Sequence, residues 1–361
     1  MSPVSGIAKS RKPAGAGDPP ATSGVVGTDI IPFPFASRRP SGDPARVGLC
    51  PWCGRGDLTV RPCFRLGEFR IWSCGTCGGG TVRPLPEPEE LERYYSENFR
   101  TGSEWAVRAS EPGDHPDAEW ITARLAETAP GARRVVEIGT GEGRLLAGLR
   151  DRGFDVLGFE PVDRFARIAR DVRGLEIVEG PFDPEAAGPC DAVVIRHALE
   201  HLPDPAETIA GIRRALRPGG VLIAGVPNFR SLAARVCGGG WEWFTPPGHL
   251  HYFTADAFAS LLGRLSFRID GMFTRRGDAQ NLLYALMESH LLWGPAKRRR
   301  PPEWWRAGGA PPRADASEFG RWLRVIARPV TEWACRRLGG LFRRLEGAGY
   351  GEELWCLARK P

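Results

Sequence analysis

VVEIGTGEGRLL, residues 135–146, joins a short apolar run to a turn with glycine at 139, 141 and 143, after which a helical pattern begins. Glycines at such spacing let the backbone accept positive φ and approach a ligand closely. A dinucleotide loop has the form Gly-x-Gly-x-x-Gly, so that a pyrophosphate rests on a helix N-terminus. Here the spacing is Gly-x-Gly-x-Gly, Arg144 follows, and the strand carries an acid, Glu137. A carboxylate at that place opposes a pyrophosphate and suits an ammonium group. A second acid, Glu160, closes the run VLGFEP (156–161), 17 residues after Gly143. A carboxylate at the end of the second strand accepts hydrogen bonds from both hydroxyls of an unphosphorylated ribose.

From residue 133 to 276, short apolar runs alternate with helical patterns: RVVEIG, DVLGFE, LEIVEG, DAVVIR, GVLIAGV and SFRIDGMF, separated by segments such as FARIARDV and PAETIAGIRRAL. Such alternation predicts an α/β fold, a doubly wound, mostly parallel sheet with helices on both faces and ligands at the strand C-termini. Residues 86–132 read as a helical linker, with Leu91, Tyr94 and Tyr95 on one face of its first helix, followed by the first helix of the core. Residues 1–45, rich in Pro, Gly, Ser and Ala, read as a disordered tail.

Two Cys-x-x-Cys pairs, Cys50/Cys53 and Cys74/Cys77, stand 20 residues apart and flank a segment with strand-like alternation. The spacing predicts a zinc ribbon over 46–85 whose four thiolates close a structural Zn2+ site with no open position. Cys63, between the pairs, reads as a packing residue. Residues 277–346 break the alternation and form a basic, amphipathic helical insert, in which 319–345 predict a cap over the site or a peripheral contact with anionic membrane. Residues 347–361 hold EELWCLARK, a last strand of the core.

The chain of 361 residues carries a formal charge of +6, 42% hydrophobic residues and nine cysteines. No apolar run approaches the ~20 residues needed to span a bilayer, and the N-terminus lacks a secretory pattern, so a cytoplasmic protein is expected. The charge permits contact with nucleic acid, yet no stacking-aromatic recognition motif accompanies it.

In combination, VVEIGTGEG, VLGFEP, CDAVVIRHALEHLPDP, LRPGGVLIAGVPN and GHLHYFTADAF resemble the Rossmann-like class I S-adenosylmethionine-dependent methyltransferases, over about residues 115–275. EHLPDP and RPGG are most similar to the subgroup that includes ubiquinone- and glycan-pathway enzymes. The resemblance implies S-adenosylmethionine as cofactor. Glu137, Gly139, Thr140, Gly141 and Gly143 would surround its methionine part and Glu160 its ribose, while Phe182 stands where adenine is contacted and His197 would line the sulfonium side. It also implies an antiparallel final strand. Glu200 resembles a position that holds a divalent metal in some quinone-ring methyltransferases.

Methyl transfer from a sulfonium needs alignment above all, and an oxygen or carbon acceptor also needs a base, for which histidine suits neutral pH. His201, His249 and His251 fall after predicted strands and are the candidate bases. The aromatic-amine signature Asn/Asp-Pro-Pro-Tyr is absent after the fourth strand, which disfavours a nucleobase amine. The leading expectation is methyl transfer to an oxygen or carbon of a small-molecule or glycan-type acceptor. An RNA- or protein-modifying methyltransferase that recognises its substrate through the ribbon, and a nicotinamide-dependent oxidoreductase, are the alternatives.

Overall fold

The computed structural model describes residues 50–55, 58–66, 69–100, 115–241, 243–275 and 343–361, together with residues 333, 337, 340 and 341; the side chains of 60–68 and 96–100 and those of 92 and 240 are outside this description. The tail expected over 1–45, most of the basic insert of 277–346 and the side chain of Cys63 therefore lie outside the described residues.

Seven strands form the central sheet. In chain order they are β4 (Arg134–Ile138), β5 (Asp155–Glu160), β6 (Ile177–Glu179), β7 (Cys190–Arg196), β8 (Leu216–Pro227), β10 (Arg268–Arg275) and β11 (Glu353–Arg359). Their spatial order is β10-β11-β8-β7-β4-β5-β6. β4 lies parallel to β5 and β7, β5 to β6, and β7 to β8. β11 runs antiparallel to both β8 and β10. The near-continuous apolar runs follow from this placement, since a parallel strand covered on both faces has no solvent side to alternate with. LEIVEG contributes less strand than its pattern suggests, because pairing with β5 extends only over Ile177–Glu179.

Side-chain caps start four of the helices. α2 (Asp117–Thr128), α3 (Arg144–Arg150), α4 (Asp163–Asp171), α5 (Pro184–Ala187), α6 (Pro205–Ala215), α7 (Leu232–Cys237) and α8 (Ala255–Arg264) follow α1 (Pro88–Arg100) in the chain. Asp204 accepts from the Glu207 amide with Pro205 in the first turn of α6, and Ser231 and Thr254 cap α7 and α8 in the same way. Two apolar clusters fill the layers on the two faces of the sheet, one containing Val136, Phe159, Val193 and Phe258, the other Val135, Leu146, Ile223 and Trp355.

The cysteine unit forms a second sheet of four strands: β1 (Leu58–Leu66), β2 (Phe69–Cys74), β3 (Gly80–Arg83) and, far along the chain, β9 (His251–Tyr252). The unit predicted as a separate N-terminal ribbon thus shares its sheet with a segment of the core. Its Cys50, Trp52, Cys74 and Cys77 belong to the same apolar cluster as Val193 and Phe258. Before β11 the chain passes through a single wide helical turn, Glu346–Tyr350, and Asn228 at the end of β8 donates to the carbonyls of Gly349 (3.0 Å) and Gly351 (2.8 Å). No helix among the described residues is long and apolar enough to cross a membrane.

Candidate active site

The site is assembled at the C-terminal ends of β4, β5 and β7. The turn after β4 takes left-handed φ at Gly139 (73°) and Gly143 (77°). A Cβ on Gly139 would come within 2.7 Å of Ala198 Cβ, and one on Gly143 within 2.5 Å of a Leu175 methyl. Glycine is required there by both conformation and space. Thr140 is buried beside them.

Glu137 and Glu160 are 3% and 4% exposed. Glu160 accepts from the Gly141 amide (2.7 Å) with one oxygen and from the Val162 amide (2.9 Å) with the other. Glu137 Oε2 is buried without a hydrogen-bond partner. Burial drives the Glu137 carboxyl well above the usual carboxylate range, against the pull of the Arg196 guanidinium. Burial likewise pushes Glu160 up to about 7, against the two backbone amides that favour its charge. Two neighbouring carboxyls that resist ionisation are a pair that a cation or a row of hydroxyl donors would relieve. Phe182, beyond β6, is half-buried and packs edge-on against Phe159, with ring centroids 5.2 Å apart.

His197 follows β7 in a left-handed conformation (φ 48°) that costs a residue with a Cβ on the order of 1 kcal/mol or more. Its surroundings hold it there. Nε2 lies 2.7 Å from Glu353 Oε1, Nδ1 lies 3.3 Å from Glu200 Oε1, and the ring stacks on Trp243 at 4.8 Å. Burial works against the imidazolium, but the hydrogen bonds to Glu200 and Glu353 outweigh it and raise the His197 pKa. Glu353 also accepts from Arg196 (3.2 Å) and from Trp355 Nε1 (3.0 Å), while Arg196 (2.7 Å) and Arg275 (2.8 Å) both donate to the buried Asp117.

His201 and His249 meet edge to face, ring centroids 4.5 Å apart, next to Glu200. His201 Nδ1 lies 3.0 Å from the Gly248 carbonyl and 3.0 Å from the Tyr95 hydroxyl. A carbonyl only accepts, so Nδ1 carries the proton and Nε2 presents its lone pair. Burial pushes both rings toward the neutral form, His249 down to about 3. Burial also opposes the Glu200 charge, but the His197 hydrogen bond and the surrounding imidazoles hold its carboxyl at about 2. Glu200 Oε2 and His249 Nδ1 are buried without partners. One ligand atom each from Glu200, His201 and His249 lie within 4.8 Å of one another. His251 stands apart from this group: its ring packs edge-on against Trp52 (5.0 Å) and Nε2 donates to the Pro203 carbonyl (3.4 Å).

The structure thus brings Glu137, the glycine turn and Glu160 together at one pair of strand ends, and His197, Glu200, His201 and His249 together beside them. Sequence reasoning missed Tyr95, Trp243 and Glu353 as parts of the site. Trp243 stacks between His197 and His249, at 4.8 Å from the first and 5.8 Å from the second. A signal for Glu353 was present, as two acids open an otherwise apolar strand in EELWCLA. At the cysteine knuckles, Cys50 Sγ and Cys77 Sγ are 3.6 Å apart and Cys53 Sγ and Cys74 Sγ 3.7 Å, with all four sulfurs within 4.8 Å of one another.

A mostly parallel seven-stranded sheet with an antiparallel strand inserted at β11, a glycine turn after β4 and an acid ending β5 make up a Rossmann-like α/β domain. Residues 116–270 match the family described as "Methyltransferase domain". A ubiquinone biosynthesis O-methyltransferase of Marinobacter nauticus is 33% identical over 106 residues, 27% of this chain and 44% of that protein. An uncharacterized methyltransferase of Mycobacterium bovis is 35% identical over 124 residues, 32% of this chain and 47% of that protein. The chain therefore spans less than half the length of these curated relatives. Similar solved structures include a SAM-dependent methyltransferase from Archaeoglobus fulgidus (20% identity, TM-score 0.41, 67% of this chain and 94% of that one). Another is a SAM-bound amino pentose methyltransferase from Micromonospora echinaspora (28% identity, TM-score 0.30, 34% of this chain and 54% of that one).

The electrostatics of Glu160 can be checked without any ligand. Its carboxyl titrates at about 7 in the folded protein and near 4.3 when unfolded, so between these values the folded state holds more protons and loses stability as pH rises. Histidines held neutral by burial act in the opposite sense, but equally in wild type and in Glu160→Gln. The stability of wild type minus that of Glu160→Gln is expected to fall by up to about 3 kcal/mol between pH 4.5 and 7.5, measured by urea denaturation across that range.

Proposed function

We propose that the protein transfers a methyl group from S-adenosylmethionine to an oxygen or carbon of a small-molecule or glycan-type acceptor. The observation that carries the reading is the pair of buried, charge-starved carboxyls, Glu137 and Glu160, flanking the glycine turn. Glu137 would hold the methionine ammonium, a partner for its unpaired Oε2, and Glu160 would accept from the ribose diol. Phe182 would border the adenine, and His197 the sulfonium. The cofactor supplies an activated methyl, and the chain's task is alignment and removal of the acceptor proton.

His201 is the base of this reading. Its protonated Nδ1 is held by Gly248, with Tyr95 against the same nitrogen, so Nε2 points a lone pair toward His249 and Glu200. Glu200 remains anionic and stabilises the imidazolium formed as His201 takes the acceptor proton. His249 closes the other side of the acceptor, while His251 is a packing residue against Trp52. Oxygen is the preferred acceptor atom, because a hydroxyl proton is the one a neutral imidazole near pH 7 removes readily. The convergence of Glu200, His201 and His249 favours a second, metal-assisted version. These donors suit a divalent cation, which would polarise an acceptor hydroxyl when bound.

The four ribbon sulfurs fit structural zinc. A tetrahedral site with Zn–S bonds near 2.3 Å has sulfurs about 3.8 Å apart, close to the 3.6 and 3.7 Å separations found here. Zinc bound there would hold the knuckles closed and take no part in the chemistry.

Three outcomes are expected. Calorimetry should show binding of S-adenosylmethionine and none of nicotinamide dinucleotides, and the double variant Glu137→Gln/Glu160→Gln should bind at least about tenfold more weakly; undiminished binding by that variant overturns the assignment. His201→Ala and His249→Ala should keep cofactor affinity but lower S-adenosylhomocysteine release with hydroxylated acceptors by about 10²–10⁴-fold, and full turnover in the double variant excludes the base. Metal analysis should find one equivalent of zinc that Cys74→Ser loses, whereas Glu200→Gln retains it.

A further inference from the structure

The segment that carries His249 is held by the ribbon. In the pairing of β3 with β9, Gly80 lies opposite Tyr252 and Thr81 opposite His251. The Val82 amide donates to the Leu250 carbonyl (2.8 Å), and on the other flank the Leu250 amide donates to the Glu200 carbonyl (2.9 Å). Leu250 is therefore clamped between the ribbon and the turn that bears Glu200 and His201, and His249 is its neighbour.

The cysteine knuckles add a second set of contacts. Trp52, between Cys50 and Cys53, is 1% exposed and packs against His251 (5.0 Å) and Phe253 (4.9 Å). Thr254 donates to the Cys77 carbonyl (2.6 Å), and Arg264 of α8 donates to the carbonyls of Pro51 (2.9 Å) and Trp52 (3.1 Å). The fit leaves no slack, as a Cβ on Gly79 would lie 2.4 Å from the Trp52 ring. Glu137, the glycine turn and Glu160, by contrast, stand on β4 and β5 in the other sheet.

We propose that the ribbon is a positioning element of the acceptor side: Trp52 and β3 fix the backbone of 249–252 and thereby place the His249 imidazole beside His201 and Glu200. The proposal rests on the reading of that cluster as the acceptor side, and it makes the two halves of the site separable. Loosening the ribbon displaces His249 and leaves the cofactor half intact. Trp52 is a positioning residue, since it touches His251 and Phe253 and acts on His249 through the strand.

The test uses the full chain labelled at its histidine rings, with resonances assigned by single substitutions. Trp52→Ala is expected to shift and broaden the His249 ring resonances while S-adenosylmethionine affinity changes by less than about threefold. Trp52→Phe, which keeps an edge-to-face ring, should restore the wild-type spectrum. Arg264→Ala, which removes no buried side chain, should move the same resonances by less, and it carries the test if Trp52→Ala does not fold. An unmoved His249 resonance in these variants overturns the proposal. So does a parallel loss of cofactor affinity, which would make the ribbon a support for the whole fold. Failure of the wild type to bind the cofactor would count against the methyltransferase reading and leave the ring spectra as evidence on the ribbon.

Discussion

Burying an ionisable carboxyl without a paired cation penalises its charged form by several kcal/mol even after the protein relaxes, and this sheet buries two such carboxyls at adjacent strand ends. Glu137 keeps one oxygen without any partner, and Glu160 satisfies both of its oxygens only by drawing the Gly141 and Val162 amides onto them. A fold selected for stability alone would place apolar or neutral residues at these positions, as it does at Val135, Val136 and Phe159 around them. The glycine turn follows from the same constraint. Gly141 reaches Glu160 because the turn passes through left-handed φ. A cationic, diol-bearing ligand would relieve both acids.

The direction of the final strand solves a related problem. The strands of a parallel sheet end at the functional edge, so each can offer that edge only its last residues. β11 is antiparallel to β8 and begins at that edge. Its first residue, Glu353, is thereby delivered to His197, while the rest of the strand supplies the apolar filling Leu354, Trp355, Cys356 and Leu357. Glu353 and Glu200 clasp His197 from both sides and raise its pKa, and the His197 hydrogen bond in turn favours the charged form of Glu200. Arg196 and Asp117 extend the chain of alternating charges away from the site, so that no member is buried alone.

The carboxyl and glycine-turn half of the candidate site was legible in the sequence because it is local. Glu137 and the glycine turn occupy one stretch, Glu160 ends the next strand, and the alternation of strands and helices places both at one edge. The antiparallel β11 followed from the resemblance and agrees with the sheet observed, whereas the order of the strands was not read from the sequence. The histidine half depends on contacts across long separations. Tyr95 reaches His201 across 106 residues, and Glu353 reaches His197 across 156. No local pattern encodes such a meeting. The histidines were recognisable as a group, but their sorting was not: His249 and His251 differ by two positions in one motif, yet one faces His201 and the other faces Trp52.

The ribbon shows the same limit at the level of domains. Its cysteine spacing reads as that of a self-contained metal unit, because a unit of that size has too little core to fold on apolar burial alone. The sequence gives no sign that β3 is completed by residues 251–252, because a two-residue strand carries no periodicity of its own. Pairing nevertheless changes what the unit does. The main-chain bonds that finish the ribbon sheet are the same bonds that fix the segment beside Glu200. The ribbon pairing thus orders the histidine segment in advance, where a free loop would have to be ordered on binding a partner. An element that reads as an appendage in the sequence is, in three dimensions, one wall of the site.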